Sequence, residues 1–114
     1  MNKYNDGSVI PNLKDNSEWS NLTTGAWCDY NNSDSLGKIY GKLYNWFAVS
    51  TNSNKNVSSD SEWKKLTDYL GGESVAGAKL KEVGIKHWGA TNQGVSNSTL
   101  FTAIPGGYRI GVIC

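Results

Sequence analysis

His87 is the single histidine of this 114-residue chain, and any acid–base or metal chemistry would have to begin there. A general base or a metal ligand needs partners, and no second histidine completes a His-x-x-x-His pair. Its neighbour is Trp88, which fits a packing role. Carboxylates are more plentiful: Asp29, Asp34, Glu62, Asp68, Glu73 and Glu82. A glycosidase needs two of them held roughly 5–9 Å apart across a sugar. Glu62 is accounted for as a helix cap and Asp68 as a solvent-facing helix residue, so no such pair is expected. The alternating oxygen donors Asp29, Asn31 and Ser33 are spaced like the start of a calcium loop. Asp34 stands where the sixth-position glycine belongs, and Tyr40 where the twelfth-position glutamate belongs. Gly71-Gly72 and Gly106-Gly107 carry neither phosphate-loop ending nor dinucleotide spacing. Cys28 and Cys114 allow one disulfide at most and no four-cysteine metal site. No catalytic residue, no cofactor and no metal is expected.

The aromatic residues are the other candidates. Trp19, Trp27, Tyr30, Trp46, Trp63 and Trp88 can act as ring faces for stacking on sugars, or they can form the core. Trp46 and Trp63 are assigned to the core, because little else in the chain is available to build one. Trp27 and Tyr30 flank a polar loop, and with Trp88 they are the candidate ligand-binding residues.

The elements that must position these rings are short. Asp15 can cap one helical turn, with Glu18 at its third position. Ala26–Tyr30 reads as a short strand, and 31–35 as a loop. Tyr40, Leu43, Tyr44 and Phe47 fall at i, i+3, i+4 and i+7, predicting a helix over Tyr40–Val49 that Gly41 weakens. Residues 51–58 read as a polar loop. Ser59-Asp60-Ser61-Glu62 is a capping box that opens a helix over Asp60–Leu70, ended by Gly71-Gly72. Beyond it, Lys79-Leu80-Lys81, Leu100-Phe101-Thr102 and Tyr108–Ile113 read as strands or extended segments between glycines.

Composition narrows the class. Hydrophobic residues make up 38% of the chain, and 5 Trp, 6 Tyr and 2 Phe carry much of that. Each buried ring removes about 150–250 Å² from water, so a lean, loop-rich chain of this kind can still fold. Net charge is +1, with Arg109 the single arginine and no basic run, so no nucleic-acid partner is expected. No stretch approaches the ~20 apolar residues of a membrane span, and the first residues do not form a signal peptide.

Several segments together resemble one family. Tyr4-Asn5-Asp6-Gly7-Ser8 with Ile10-Pro11, the run Tyr40–Val49, and Ser59–Trp63 with Leu66–Gly72 are similar to the Fibrobacter succinogenes major paralogous domain. So are Ala76–Glu82, His87-Trp88, 89–97, and the closing Phe101-Thr102-Ala103-Ile104-Pro105-Gly106-Gly107-Tyr108-Arg109. The resemblance implies a bacterial, extracytoplasmic, often lipoprotein-borne protein, in a family mostly of unassigned function. It further implies an α+β, C-type-lectin-like fold in which two helices, Tyr40–Val49 and Asp60–Leu70, flank a small antiparallel sheet.

The family pattern also has a segment before residue 1 and strands after Arg109 that this chain lacks, so the domain reads as truncated at both ends and the fold as incomplete. Open sheet edges would then favour self-association. The expected function is a non-catalytic surface or secreted binding module for carbohydrate or protein, with a structural spacer as the alternative. An enzyme reading would follow the formylglycine-generating relatives, but Cys28 and Cys114 lack the matching context.

Overall fold

The computed structural model describes residues 2–50, 57–90 and 92–110. It is an α+β structure whose described residues form five short α-helices and one two-stranded antiparallel sheet. The chain divides into two compact units, Met1–Val57 with Gly106–Cys114, and Ser58–Pro105.

The first unit opens with a turn at Asn5-Asp6-Gly7. Gly7 adopts φ +88°, the Asp6 carboxylate accepts from the Ser8 amide at 2.9 Å, and Lys3 bridges Val9. Helix α1 (Asn16–Asn21) starts at Asp15, whose side chain accepts from the Glu18 amide at 2.9 Å, as the sequence indicates. Strand β1 (Trp27–Asp29) pairs antiparallel with β2 (Lys42–Tyr44) in the register Trp27↔Tyr44, Cys28↔Leu43 and Asp29↔Lys42. The core gathers around β1: Ile10, Ala26, Cys28 and Ala48 are fully buried. Asp29 is buried with them, its carboxylate 3.5 Å from Lys42 Nζ and packed against Gly37, where a Cβ would collide with it. A buried carboxylate needs such a partner, because an unpaired one would cost several kcal/mol.

The helix expected over Tyr40–Val49 is three pieces. Helix α2 (Asp34–Tyr40) ends at Tyr40, Gly41 turns the chain at φ +84°, β2 follows, and helix α3 (Trp46–Ser50) begins after Asn45. The helical spacing of Tyr40, Leu43, Tyr44 and Phe47 is outweighed by pairing with β1 and by the left-handed turn that Gly41 permits. The predicted loop over 31–35 is instead a 3-10 turn at Tyr30–Asn32 followed by the first residues of α2.

In the second unit, helix α4 (Asp60–Tyr69) carries the predicted capping box. The Ser59 amide donates to Glu62 Oε2 at 2.8 Å, and Ser59 Oγ accepts from the Glu62 amide at 3.3 Å. Gly71 and Gly72, at φ +103° and +99°, end it, with the Gly72 amide donating to Thr67 O at 2.9 Å. Helix α5 (Glu73–Leu80) lies where Lys79 and Leu80 read as extended; it is short, contains Gly77 and buries Ala76, so its sequence shows no apolar stripe. Lys79 Nζ donates to Leu70 O at 2.8 Å, satisfying a carbonyl at the end of α4 with a cation. Leu100-Phe101-Thr102 forms no strand; the pairing nearby is a single parallel bridge, Lys81↔Ala103. Tyr108 and Arg109 lie outside any strand, and 111–113, with Cys114, fall outside the described residues.

Candidate ligand-binding site

Trp27 and Trp88, both expected at a ligand site, are held in the same way. Trp27 is half-buried on β1, its indole N–H donating to Ile10 O at 2.9 Å, with Lys42 Nζ 3.4 Å from the ring centroid. Trp88, in the second unit, donates to Ala103 O at 2.8 Å and has Lys81 Nζ 4.5 Å from its ring centroid. In each, the N–H is committed to backbone and one face lies under a lysine, a cation–π contact that also shields the ring. Tyr30 is more open, but its ring lies against Gly107, where a Cβ would come within 2.7 Å of it. A depression of about 500 Å³ beside Trp27 is walled by Asp29, Asp34, Lys38 and Lys42, so it is ionic in character. His87 Nδ1 lies 2.6 Å from Glu82 Oε2, and Asn92 Nδ2 donates to Glu82 O at 2.8 Å and Gly84 O at 2.7 Å. These bonds fasten the Glu82–Asn92 loop. Among the described residues no three His, Cys, Asp or Glu side chains gather as a metal site.

A different set of rings is presented to solvent. In the first unit a cleft of about 450 Å³ is lined by Trp19, Tyr44, Trp46, Tyr108 and Arg109, among others. That volume is within the ~300–1,000 Å³ of small-ligand sites. Trp46 is 70% and Tyr108 72% exposed. The expectation that Trp46 and Trp63 are core residues is therefore corrected: Trp63, on α4, is 45% exposed and meets Phe101 edge-on.

The backbone beneath both cleft rings is pinned. Asn45 Oδ1 accepts from the Ala26 and Ala48 amides, each at 3.0 Å, and its Nδ2 donates to Thr24 O at 2.8 Å. The next residue, Trp46, thus starts α3 from a fixed point. On the other wall, Gly107 at φ +72° packs under Tyr30, and Arg109 donates to Leu13 O at 2.9 Å, Lys14 O at 3.3 Å and Asn16 Oδ1 at 2.7 Å. Its guanidinium also stacks over Trp19, 4.4 Å from the centroid. Tyr108, between these anchors, is held outward. Burial, then the charge of Asp29, raise the Tyr44 pKa.

The sequence model of the Fibrobacter succinogenes major domain matches residues 1–113. The chain belongs to that family. No curated protein and no solved structure gives a match. In this member of the Fibrobacter succinogenes major domain family, the segments that carry the resemblance include both walls of the cleft. Asn45-Trp46 lies inside Tyr40–Val49, and Gly106-Gly107-Tyr108-Arg109 closes the last segment. Asn45 beside Trp46, and Gly107 and Arg109 beside Tyr108, carry structural bonds or close packing, while the two rings are exposed, Trp46 meeting Phe47 edge-on. That contrast was the signal in the sequence, but it needed the partners of Asn45, Gly107 and Arg109 before it could be read.

Proposed function

We propose that this chain is a non-catalytic binding module of a bacterial surface or secreted protein, taking a carbohydrate or protein ligand. The observation that carries the reading is the pair Trp46 and Tyr108. Both rings are about 70% exposed although the residues beside them are immobilised. Large rigid rings on a prepared backbone lose little entropy on binding, which is why Trp and Tyr dominate recognition surfaces. The C-type-lectin-like architecture and the extracytoplasmic location follow the family resemblance and belong to this proposal. No helix among the described residues is long and apolar enough to cross a membrane.

A spacer module without a ligand is the second reading. It is favoured by Trp27 and Trp88, whose hydrogen bonds and lysine-covered faces make them packing residues. The two readings part in a binding screen of the purified chain against a glycan array and a displayed-peptide library. A selective ligand that is lost in Trp46→Ala supports the module. Silence from a folded sample in both screens leaves the spacer.

A further inference from the structure

We infer that the Trp46–Tyr108 cleft receives an uncharged pyranose ring of a glycan. The inference rests on the binding-module reading above and adds the class of ligand and the residues that hold it. The walls offer three things: aromatic faces at Trp46 and Tyr108, the phenol hydroxyl of Tyr108, and no carboxylate among the lining residues. An uncharged sugar presents the matching surfaces, since one face of a pyranose is a patch of C–H groups and its rim is hydroxyls.

Charge decides between ligand classes. The one ionised lining group is Arg109, and a fixed cation in the wall with no carboxylate to offset it disfavours cationic ligands. An acidic ligand would need the guanidinium's N–H groups, but most of these are already engaged. Nη1 donates to Leu13 O, Nη2 donates to Lys14 O and Asn16 Oδ1, and Nε is buried. Its face is taken up by Trp19. Arg109 therefore builds the wall and offers few contacts to a ligand. With the ionic partner spent on the fold, what remains is stacking and neutral hydrogen bonding, which is the chemistry of neutral sugar recognition.

The test titrates the whole chain with cellohexaose, mannohexaose and galactotetraose as neutral probes and with oligogalacturonate as the acidic one. Tryptophan fluorescence and calorimetry are the readouts. A neutral probe is expected to shift the tryptophan emission with an affinity that added salt leaves unchanged. Trp46→Ala and Tyr108→Ala should each weaken it about tenfold or more, with Trp46→Phe recovering part of the loss because the ring face is restored. Tyr69→Ala, an exposed ring of the second unit, should leave it unchanged. Circular dichroism establishes that each variant is folded. Binding of oligogalacturonate alone, weakened by salt, overturns the neutral-sugar inference and leaves the module standing. So does a peptide ligand lost in Trp46→Ala when every sugar is silent. Sugar binding indifferent to both cleft variants overturns the site. Silence toward sugars and peptides alike overturns the inference and the module together.

Discussion

Asn45 shows how much of the first unit depends on one amide side chain. Its oxygen serves two backbone amides, one before β1 and one in the first turn of α3, and its nitrogen serves a carbonyl 21 residues away. No other side chain can fill this role unless it both accepts and donates at that length, so even aspartate would lose the bond to Thr24. Removing it takes the partner from the partly buried Ala26 amide, while the Ala48 amide keeps its bond to the residue 45 carbonyl at 3.1 Å, at a cost of ~1–3 kcal/mol once relaxation is allowed. Asn45→Ala is accordingly expected to lower the unfolding free energy by about 2 kcal/mol in urea titration, and to blunt the tryptophan emission change on ligand binding. A loss below about 0.5 kcal/mol would mean that water replaces all three bonds. A different strain marks Leu100, which sits at φ +60° while 84% exposed. The loop around it is closed by Asn97, whose side chain accepts from the Thr102 amide and donates to Thr102 Oγ1, both at 2.9 Å. A branched residue in that conformation is uncommon and costs of order 1–2 kcal/mol.

At the scale of an element, α4 is the helix most completely specified by its own sequence. Ser59 and Glu62 exchange hydrogen bonds at its start, Lys64 and Asp68 pair at 3.1 Å one turn on, and two glycines end it. The Glu62 carboxylate accepts from the Ser59 amide first and the Ser59 hydroxyl second, and both hold its pKa below the usual glutamate value. A depressed folded-state pKa contributes stability above the unfolded-state value, ~4.3, and that stability is lost as pH falls through the folded value. Stability of the second unit should therefore drop below about pH 4 more steeply in the parent than in Glu62→Gln, which has no carboxylate to protonate. Melting curves at neutral and acidic pH give the comparison. Parallel pH profiles for the two proteins would mean that the box contributes nothing through its charge. Ser59→Ala removes the other half of the box and should cost ~1 kcal/mol. β1 and β2 are the opposite case. At three residues each they have little stability of their own and depend on the core that Ile10, Cys28 and Ala48 form around them.

Over the whole molecule, apolar surface is distributed unusually. The second unit leaves Tyr69 86%, Leu100 84%, Ile85 72% and Phe101 55% exposed, and Phe101 joins Trp63 in an edge-on pair. Exposed apolar residues are ordinary singly, but grouped ones mark association surfaces. We expect the chain to self-associate, with an average mass that rises with concentration in light scattering. Leu100→Ser with Phe101→Ser should move the mass back toward the monomer value. A monomer mass held across the concentration range in the parent would end this expectation.

The features legible from sequence are those whose partners lie within three or four residues. The Asp15 cap, the Ser59–Glu62 box, the Gly71-Gly72 stop and a strand within Ala26–Tyr30 depend on short-range hydrogen bonding and alternation, and order along the chain is enough to see them. The α+β class and the family follow from motifs of the same local kind, strung in sequence from residue 4 to residue 109. What tertiary structure decided depends on partners far away. Tyr40–Val49 has a helical period, yet it breaks because β2 finds β1 across the turn at Gly41. Trp46 looks like a core ring, yet it is exposed while Ala26, Cys28 and Ala48 are the residues buried. Arg109 reaches Leu13 O across 96 positions and so sets Tyr108 beside Trp46 in one cleft. Burial is a competition among all the apolar groups of a chain, and its winners follow from the packing rather than from the period of any one segment.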